Sequence, residues 1–179
     1  MGTRRYAFIR AINTGNRRLT NNAVIEPFAA LGLEDVQAYQ AAGNVAFVSD
    51  LEPQALTSQL EAALADAYGF EAPTFVRAEE ELVELAATEA FTDDQLALTE
   101  GRVQVAFLRG VASADQVEAV DALTPAEDLA AFVGAHWLWL PRVGISTSEM
   151  PVSKVEDVLG PMTIRTMGTV ERMLKKFAG

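Results

Sequence analysis

Runs of apolar residues divide the first half of the chain into short strands and amphipathic helices. Four runs rich in β-forming residues predict strands, over residues 5–13, 36–40, 45–48 and 74–77. Three stretches with apolar residues at helical spacing predict helices, over residues 21–31, 53–68 and 79–86. The first half therefore predicts the order βαββαβ followed by one more helix.

The second half repeats this order. It predicts strands and helices over residues 102–109, 114–123, 129–133, 136–140, 154–159, 162–166 and 169–177. Ser113 is the expected cap of the first of these helices, and Gly134-Ala135 predicts a hairpin turn. Thr124 and Glu127 have capping-box spacing, so a helix competes with the first strand of that hairpin. Two βαββαβ units predict an α+β chain made of two ferredoxin-like halves, each with an added helix.

The acidic stretch over residues 88–101 is the expected boundary between the halves. It divides the chain into a first half, 1–95, and a second half, 96–179. Because no Gly-rich linker separates them, we expect the halves to pack together.

Polar residues and prolines predict where the helices begin. Asn21 or Asn22 is the expected cap of the first helix, while Ser49 and Ser153 each precede a glutamate by three residues and predict capping boxes. Pro27 cannot donate the amide hydrogen bond of an interior turn. We therefore expect the first turn of that helix to be separate or kinked.

The composition is that of a folded globular chain, with 50% hydrophobic and 22% charged residues. No apolar run approaches the eighteen or so residues that a membrane span requires, and no secretion signal is recognisable. The chain has no cysteine, which excludes disulfides, thiol nucleophiles and thiolate metal sites. We expect a cytoplasmic protein without a membrane partner, and the oligomeric state stays open.

Charge is distributed unevenly along the chain. Residues 1–18 contain five arginines and no acid, and residues 154–179 contain five basic and three acidic residues. Residues 19–153 contain four basic and 22 acidic residues, a net charge of −18. Two basic ends around an acidic middle make duplex nucleic acid an unlikely partner, although the two ends could meet in a small anion site. The simpler interpretation is that the basic ends balance acidic neighbours.

Three segments carry a resemblance to a known family. They are Arg10-Ala11-Ile12-Asn13-Thr14-Gly15, Gly43-Asn44-Val45-Ala46-Phe47 and Arg165-Thr166-Met167-Gly168-Thr169-Val170. They resemble the bacterial domain-of-unknown-function family 1697 (DUF1697), of which the chain looks like a divergent member. Ala42 and Gly168 stand where the family usually has serine and asparagine.

The resemblance implies a fold and a set of candidate positions, but no reaction. The candidate ligand-binding residues are Arg10, Asn13, Gly15, Asn16, Asn44, Arg165 and Thr169. A loop that follows a strand, bears arginines and precedes a helix suits a carboxylate or a phosphate. We therefore expect a small anionic ligand, a nucleotide or another phosphate-containing molecule, between the two halves. The simpler alternative is that the loop after the first strand is a turn rich in polar residues.

Other candidate chemistry is weaker. His136 is the only histidine, and without cysteine it cannot build the usual zinc site, so a structural or surface role is expected. Glu79, Glu80 and Glu81 are consecutive and point about 100° apart on a helix, so they cannot converge on a metal. No phosphate-binding glycine motif occurs. We expect no cofactor and no metal.

Two alternatives to a binding protein stay open. The first is an enzyme of hydrolase or transferase type that uses Ser146, Thr147 or Ser148 with Lys154, which requires a base near a hydroxyl. The second is a protein–protein interaction module, for which an exposed apolar patch around Trp137 and Trp139 would be the sign.

The charge distribution predicts that the protein does not bind duplex DNA at physiological salt. The net charge of −18 over residues 19–153 repels a polyanion, and a few basic contacts at the ends do not outweigh it. Fluorescence anisotropy with a labelled duplex should show no complex at micromolar protein. A salt-sensitive micromolar complex would contradict the prediction.

Overall fold

The structure is a computed structural model that describes residues 2–10, 12, 19–40, 42–99 and 102–177. It consists of two compact units, Met1–Val83 with Arg172–Gly179, and Glu84–Glu171. These units differ from the predicted halves, 1–95 and 96–179, in the segment 84–95 and in the end of the last helix.

The first unit contains the first βαββαβ motif. Its elements are β1 (Thr3–Ile9), α1 (Asn21–Ala30), β2 (Glu34–Tyr39), β3 (Asn44–Ser49), α2 (Pro53–Tyr68) and β4 (Thr74–Ala78). The added helix α3 (Glu79–Ala87) begins in this unit, and its residues from Glu84 on belong to the second unit. The strands form an antiparallel sheet in the order β2-β3-β1-β4. This is the ferredoxin-like order that the sequence predicts.

The second unit contains the same motif. After a short helix that the sequence did not predict, α4 (Asp93–Ala97), come β5 (Gln104–Phe107), α5 (Ala114–Leu123), β6 (Leu129–Val133), β7 (His136–Leu140), α6 (Val152–Leu159) and β8 (Thr163–Thr166). The added helix α7 (Met167–Phe177) begins in this unit, and its residues from Arg172 on belong to the first unit. The sheet order is β6-β7-β5-β8, again antiparallel. Because each strand takes the place of its counterpart, the predicted pair of ferredoxin-like halves is confirmed.

β1 and β5, which we call the central strands, are inner strands of their sheets and are buried on both faces. Residues 6–9 of β1 and 105–108 at β5 are at most 1% exposed, which explains why they are nearly continuous apolar runs instead of alternating ones. At the end of each central strand a backbone amide donates to the neighbouring hairpin turn, Ile9 N to Gly43 O at 2.7 Å and Leu108 N to Ala135 O at 3.0 Å. The two units therefore share this local contact as well as their topology.

Helices cover one face of each sheet. In the first unit α1 and α2 contribute Val24, Phe28, Leu56, Leu60 and Leu64 to a core with β1 and β3. In the second unit the core is built on the two tryptophans of β7, whose rings stack in parallel with centroids 6.0 Å apart. The predicted helical and strand periodicities therefore identify the core residues.

The hairpin of β6 and β7 resolves the competing helix interpretation. Val133 pairs with His136 and Leu129 with Leu140 across the turn. Thr124 instead ends α5, and the next residues form a tight turn in which Asp128 N donates to Pro125 O. The pairing of β6 with β7 forms instead of a helix because it places the β7 tryptophans in the core.

Two predicted capping boxes are wrong. Ser49 lies in β3 and its hydroxyl accepts from Leu51 N, while α2 begins with Pro53 in its first turn. Ser153 lies inside α6, which begins one residue earlier, at Val152. Pro53 lies in the first turn of α2, where its fixed φ suits the start of a helix, and Pro151 is the N-cap residue of α6. The predicted cap at Ser113 is confirmed, with Gln116 completing a capping box.

The first turn of α1 is not separate, because α1 runs from Asn21 to Ala30 with Pro27 inside it; the expected kink stays a prediction. The helix is capped by Thr20 instead of Asn21 or Asn22. A proline at this position leaves the carbonyl of Ala23 without its helical donor. The hydroxyl of Tyr68 donates to that oxygen at 3.0 Å. Burial and the nearby charge of Glu26 raise the pKa of Tyr68 to about 12, so this hydroxyl keeps its proton. A residue from α2 thus compensates for the proline.

None of the helices in the described part of the chain combines the length and the apolar character needed to cross a membrane.

The contact between Tyr68 and α1 predicts an energetic coupling. Tyr68→Phe removes the donor but keeps the ring, and should lower the free energy of unfolding by about 1 kcal/mol. In a Pro27→Ala background residue 27 regains an amide that can donate to Ala23 O, so the same change should cost clearly less. Urea unfolding of the four variants measures the coupling. Equal losses in both backgrounds would contradict this assignment.

Candidate functional site

Arg10 and Asn44 lie at one end of the sheet of the first unit. Phe8 of β1, Asn44 of β3 and Tyr39 of β2 are level across three neighbouring strands, and Arg10 follows two residues after Phe8. Asn44 is 1% exposed, and its amide donates to the carbonyl of Tyr39 at 3.3 Å. The side chain of Asn44 therefore stabilises the hairpin next to Arg10.

Three of the predicted site residues, Asn13, Gly15 and Asn16, lie outside the described residues. The role assigned to them stays a prediction.

Arg165 and Thr169 lie at the junction of β8 and α7 in the second unit. The Arg165 guanidinium donates from Nη1 to Thr163 Oγ1 at 3.0 Å and to Ile164 O at 2.8 Å. Burial lowers the pKa of Arg165 to about 10. Thr166 Oγ1 accepts from the amide of Thr169 at 3.3 Å and thereby caps α7. The two residues that the resemblance implies thus lie at the start of α7, where the guanidinium of Arg165 is partly buried.

Sequence reasoning missed a cluster formed by Tyr39 with the end of α7. Arg172 Nε donates to the Tyr39 hydroxyl at 3.2 Å, and the Lys176 ammonium lies 5.5 Å from the centre of the Tyr39 ring. Phe177 packs edge-on against the same ring, with centroids 6.1 Å apart. We call Tyr39, Arg172 and Lys176 the C-terminal basic cluster. The excess of basic residues over residues 154–179 was the available signal in the sequence, but a charge count does not show which strand the end of α7 contacts.

The hydroxyl-rich loop after β7 is held by a buried carboxylate. Asp128 accepts hydrogen bonds from Trp139 Nε1 at 2.9 Å, from Arg142 N at 2.8 Å and from Ser148 Oγ at 2.5 Å. Ser148 also accepts from Met150 N. Its hydroxyl is therefore part of the loop's framework.

The other residues of the enzyme hypothesis do not form a nucleophile and base. Thr147 Oγ1 donates to Gly144 O at 2.8 Å. Among the described residues, the Lys154 ammonium makes no hydrogen bond to Ser146, Thr147 or Ser148. A nucleophile needs a base within hydrogen-bond reach, so this arrangement disfavours the enzyme alternative.

The remaining candidates have structural surroundings. His136 is 1% exposed, with Nδ1 3.0 Å from Val133 O and its ring edge-on to Phe107. Trp137 and Trp139 are each 1% exposed, so the exposed apolar patch expected of an interaction module is absent from this strand.

The glutamates that open α3 also have local partners. Glu79 accepts from the Tyr6 hydroxyl, and Glu81 pairs with Arg77 at 3.0 Å. Within the described ranges no three acidic or histidine side chains are grouped as a metal site requires. These acids therefore contribute to the packing of α3 on the sheet.

The Asp128 network predicts a graded series of stability losses. Asp128→Ala leaves the buried Trp139 donor and the Arg142 amide without an acceptor, and should cost about 3 kcal/mol. Ser148→Ala removes one hydrogen bond and should cost about 1 kcal/mol, whereas Ser146→Ala, in an exposed position of the same loop, should change stability by less than about 0.5 kcal/mol. Urea unfolding of the three variants measures the series. A loss for Ser146→Ala as large as that for Ser148→Ala would contradict it.

Comparison with known proteins agrees with this fold. A conserved bacterial protein from Streptococcus pneumoniae has a solved structure that matches with a TM-score of 0.71 and 25% identity, over 98% of each chain. No curated protein matches the chain. The model of a family described as protein of unknown function (DUF1697) matches residues 3–137, about three quarters of the sequence. The chain therefore belongs to the DUF1697 family.

Proposed function

We propose that the protein binds a small anionic ligand, such as a phosphate-containing molecule, at the end of the first unit that carries Arg10 and the C-terminal basic cluster. The cluster supplies two cations, Arg172 and Lys176, from one helix end, and Arg10 follows the end of β1 in the same unit. Arginine and lysine side chains that converge on one place suit the oxygens of a phosphate or carboxylate.

One observation carries this proposal. The segment Arg172–Gly179 belongs to the same compact unit as residues 1–83, so Arg10 and the C-terminal basic cluster are parts of one unit. Among the described arginines of residues 1–18, Arg4 pairs with Asp35 and Arg5 with Glu52, so the contribution of this segment comes from Arg10. Cations from two segments far apart in sequence are thus part of the same small domain.

The spacing of the strands fits a small ligand. Neighbouring strands lie about 4.8 Å apart and residues along a strand about 3.4 Å apart. Tyr39 and Arg10 are separated by two strands and about two residues, so their Cα atoms lie roughly 12 Å apart by this geometry. Arginine and lysine side chains reach several ångströms from each side of such a gap, which leaves room for a phosphate group.

The cluster is also partly pre-organised. The Tyr39 hydroxyl orients the Arg172 guanidinium, and the aromatic rings of Tyr39 and Phe177 lie beside the Lys176 ammonium. Side chains that are already oriented lose less conformational entropy when a ligand binds. Because the net charge of the chain is −11, long-range attraction is absent and binding depends on such short-range contacts.

Thermal unfolding with inorganic phosphate, AMP and adenosine tests the proposal at constant ionic strength. Phosphate or AMP should raise the melting temperature, and adenosine, which lacks the phosphate, should not. Arg172→Gln removes a charge-assisted contact and should weaken binding about tenfold. Lys176→Gln should weaken it less, because an exposed ammonium contributes less than an oriented guanidinium.

Lys154→Gln is the matched control, because it removes one exposed positive charge from α6 without changing the cluster. It should leave the anion effect unchanged. A wild-type protein without an anion shift, or an equal loss in Lys154→Gln and Arg172→Gln, would overturn the proposal.

A further inference from the structure

A cavity of about 390 Å³ lies in the second unit. Its walls come from the last turn of α3, the segment 88–96, the residue before β5, and the strand and helix β7 and α7. Apolar side chains form much of its lining, including Phe91, Val103, Leu138 and Met167. Leu138 is fully buried and Phe91 is 8% exposed. The volume lies in the range of small-molecule sites.

The polar groups around this cavity are acidic. Glu89, Asp93 and Glu171 contribute to its lining, are exposed to solvent, and are joined there by no basic residue. In the described portion of the chain, none of these three carboxylates takes part in an ion pair.

The hydroxyls of the lining already have partners. Thr88 Oγ1 donates to Glu84 O at 2.8 Å, and Thr92 Oγ1 accepts from Gln95 N as the cap of α4. The carboxylates are therefore the main polar groups that remain for a ligand.

From this combination we infer that the cavity is a binding site for a small organic cation, an amine. Its apolar part contacts the apolar side chains of the lining, and its ammonium group contacts the carboxylates. The apolar side chains of the lining offer contact area for the apolar part of the ligand, and the exposed carboxylates attract its ammonium. Several acids without an opposing base favour a positive ligand and disfavour a negative one. The inference is independent of the anion site, which lies in the first unit and requires the opposite charge.

Phenethylammonium and 2-phenylethanol form a matched pair of probes, because they share a ring and a chain length and differ in charge. We expect phenethylammonium to bind, with amide shifts in ¹H–¹⁵N spectra concentrated at residues 86–96, 103, 138 and 167–171. The neutral alcohol should bind at least tenfold more weakly, and the affinity for the amine should fall as salt is added. Equal affinity for the two probes, or no binding of the amine, would overturn the inference.

Variants distinguish this cavity from the general negative charge of the protein. Glu171→Gln and Asp93→Asn should each weaken amine binding roughly two- to fivefold, the range of an exposed ion pair. Glu118→Gln removes the same charge from an exposed position on α5 and should have no effect. Ala90→Phe places a ring in the wall of the cavity and should abolish binding in a protein that is folded by circular dichroism. An equal effect of Glu118→Gln and Glu171→Gln would assign binding to diffuse charge and contradict the inference.

Discussion

The hydrogen bond between the end of each central strand and the hairpin turn beside it constrains the rest of each unit. Ile9 donates to Gly43, and Leu108 donates to Ala135 in the corresponding place. Gly43 has φ of +72°, and a Cβ at this position would lie 2.7 Å from the carbonyl oxygen of Ile9. Only a glycine allows the turn to approach the strand so closely. That approach fixes where β2 and β3 place Tyr39 and Asn44.

The two units show how one backbone framework can carry opposite chemistry. Their strand orders and pairing directions are the same. The first unit receives its cations from the end of α7, and the second obtains carboxylates from the segment after α3 and from the start of α7. In both cases the charged groups come from elements outside the four strands and two helices of the motif. Both proposed sites thus follow the general rule that sites are added to folds through loops and appended segments.

Buried polar groups explain why the serine-rich loop behaves as a structural element. Asp128 is 6% exposed, and the cost of burying its charge is offset by three hydrogen bonds that tie the loop to β7. A serine beside a carboxylate and a tryptophan resembles part of a catalytic arrangement when only the residue types are considered. Its contacts show that the carboxylate organises backbone and side-chain donors, which is the usual reason for a satisfied buried acid.

Periodicity along the sequence by itself determined the order of elements in both βαββαβ motifs, the core residues and the repetition of the motif, because strand and helix patterns are local and each half repeats them. It missed the short helix α4 and the contact by which Tyr68 from another helix supplies the donor that Pro27 lacks, and its capping boxes at Ser49 and Ser153 were wrong. The charge count indicated two basic ends. Only the tertiary structure decided that Arg10 and the end of α7 belong to one unit and that acids from distant segments border one cavity, because a sequence pattern carries no information on contacts between residues more than seventy positions apart.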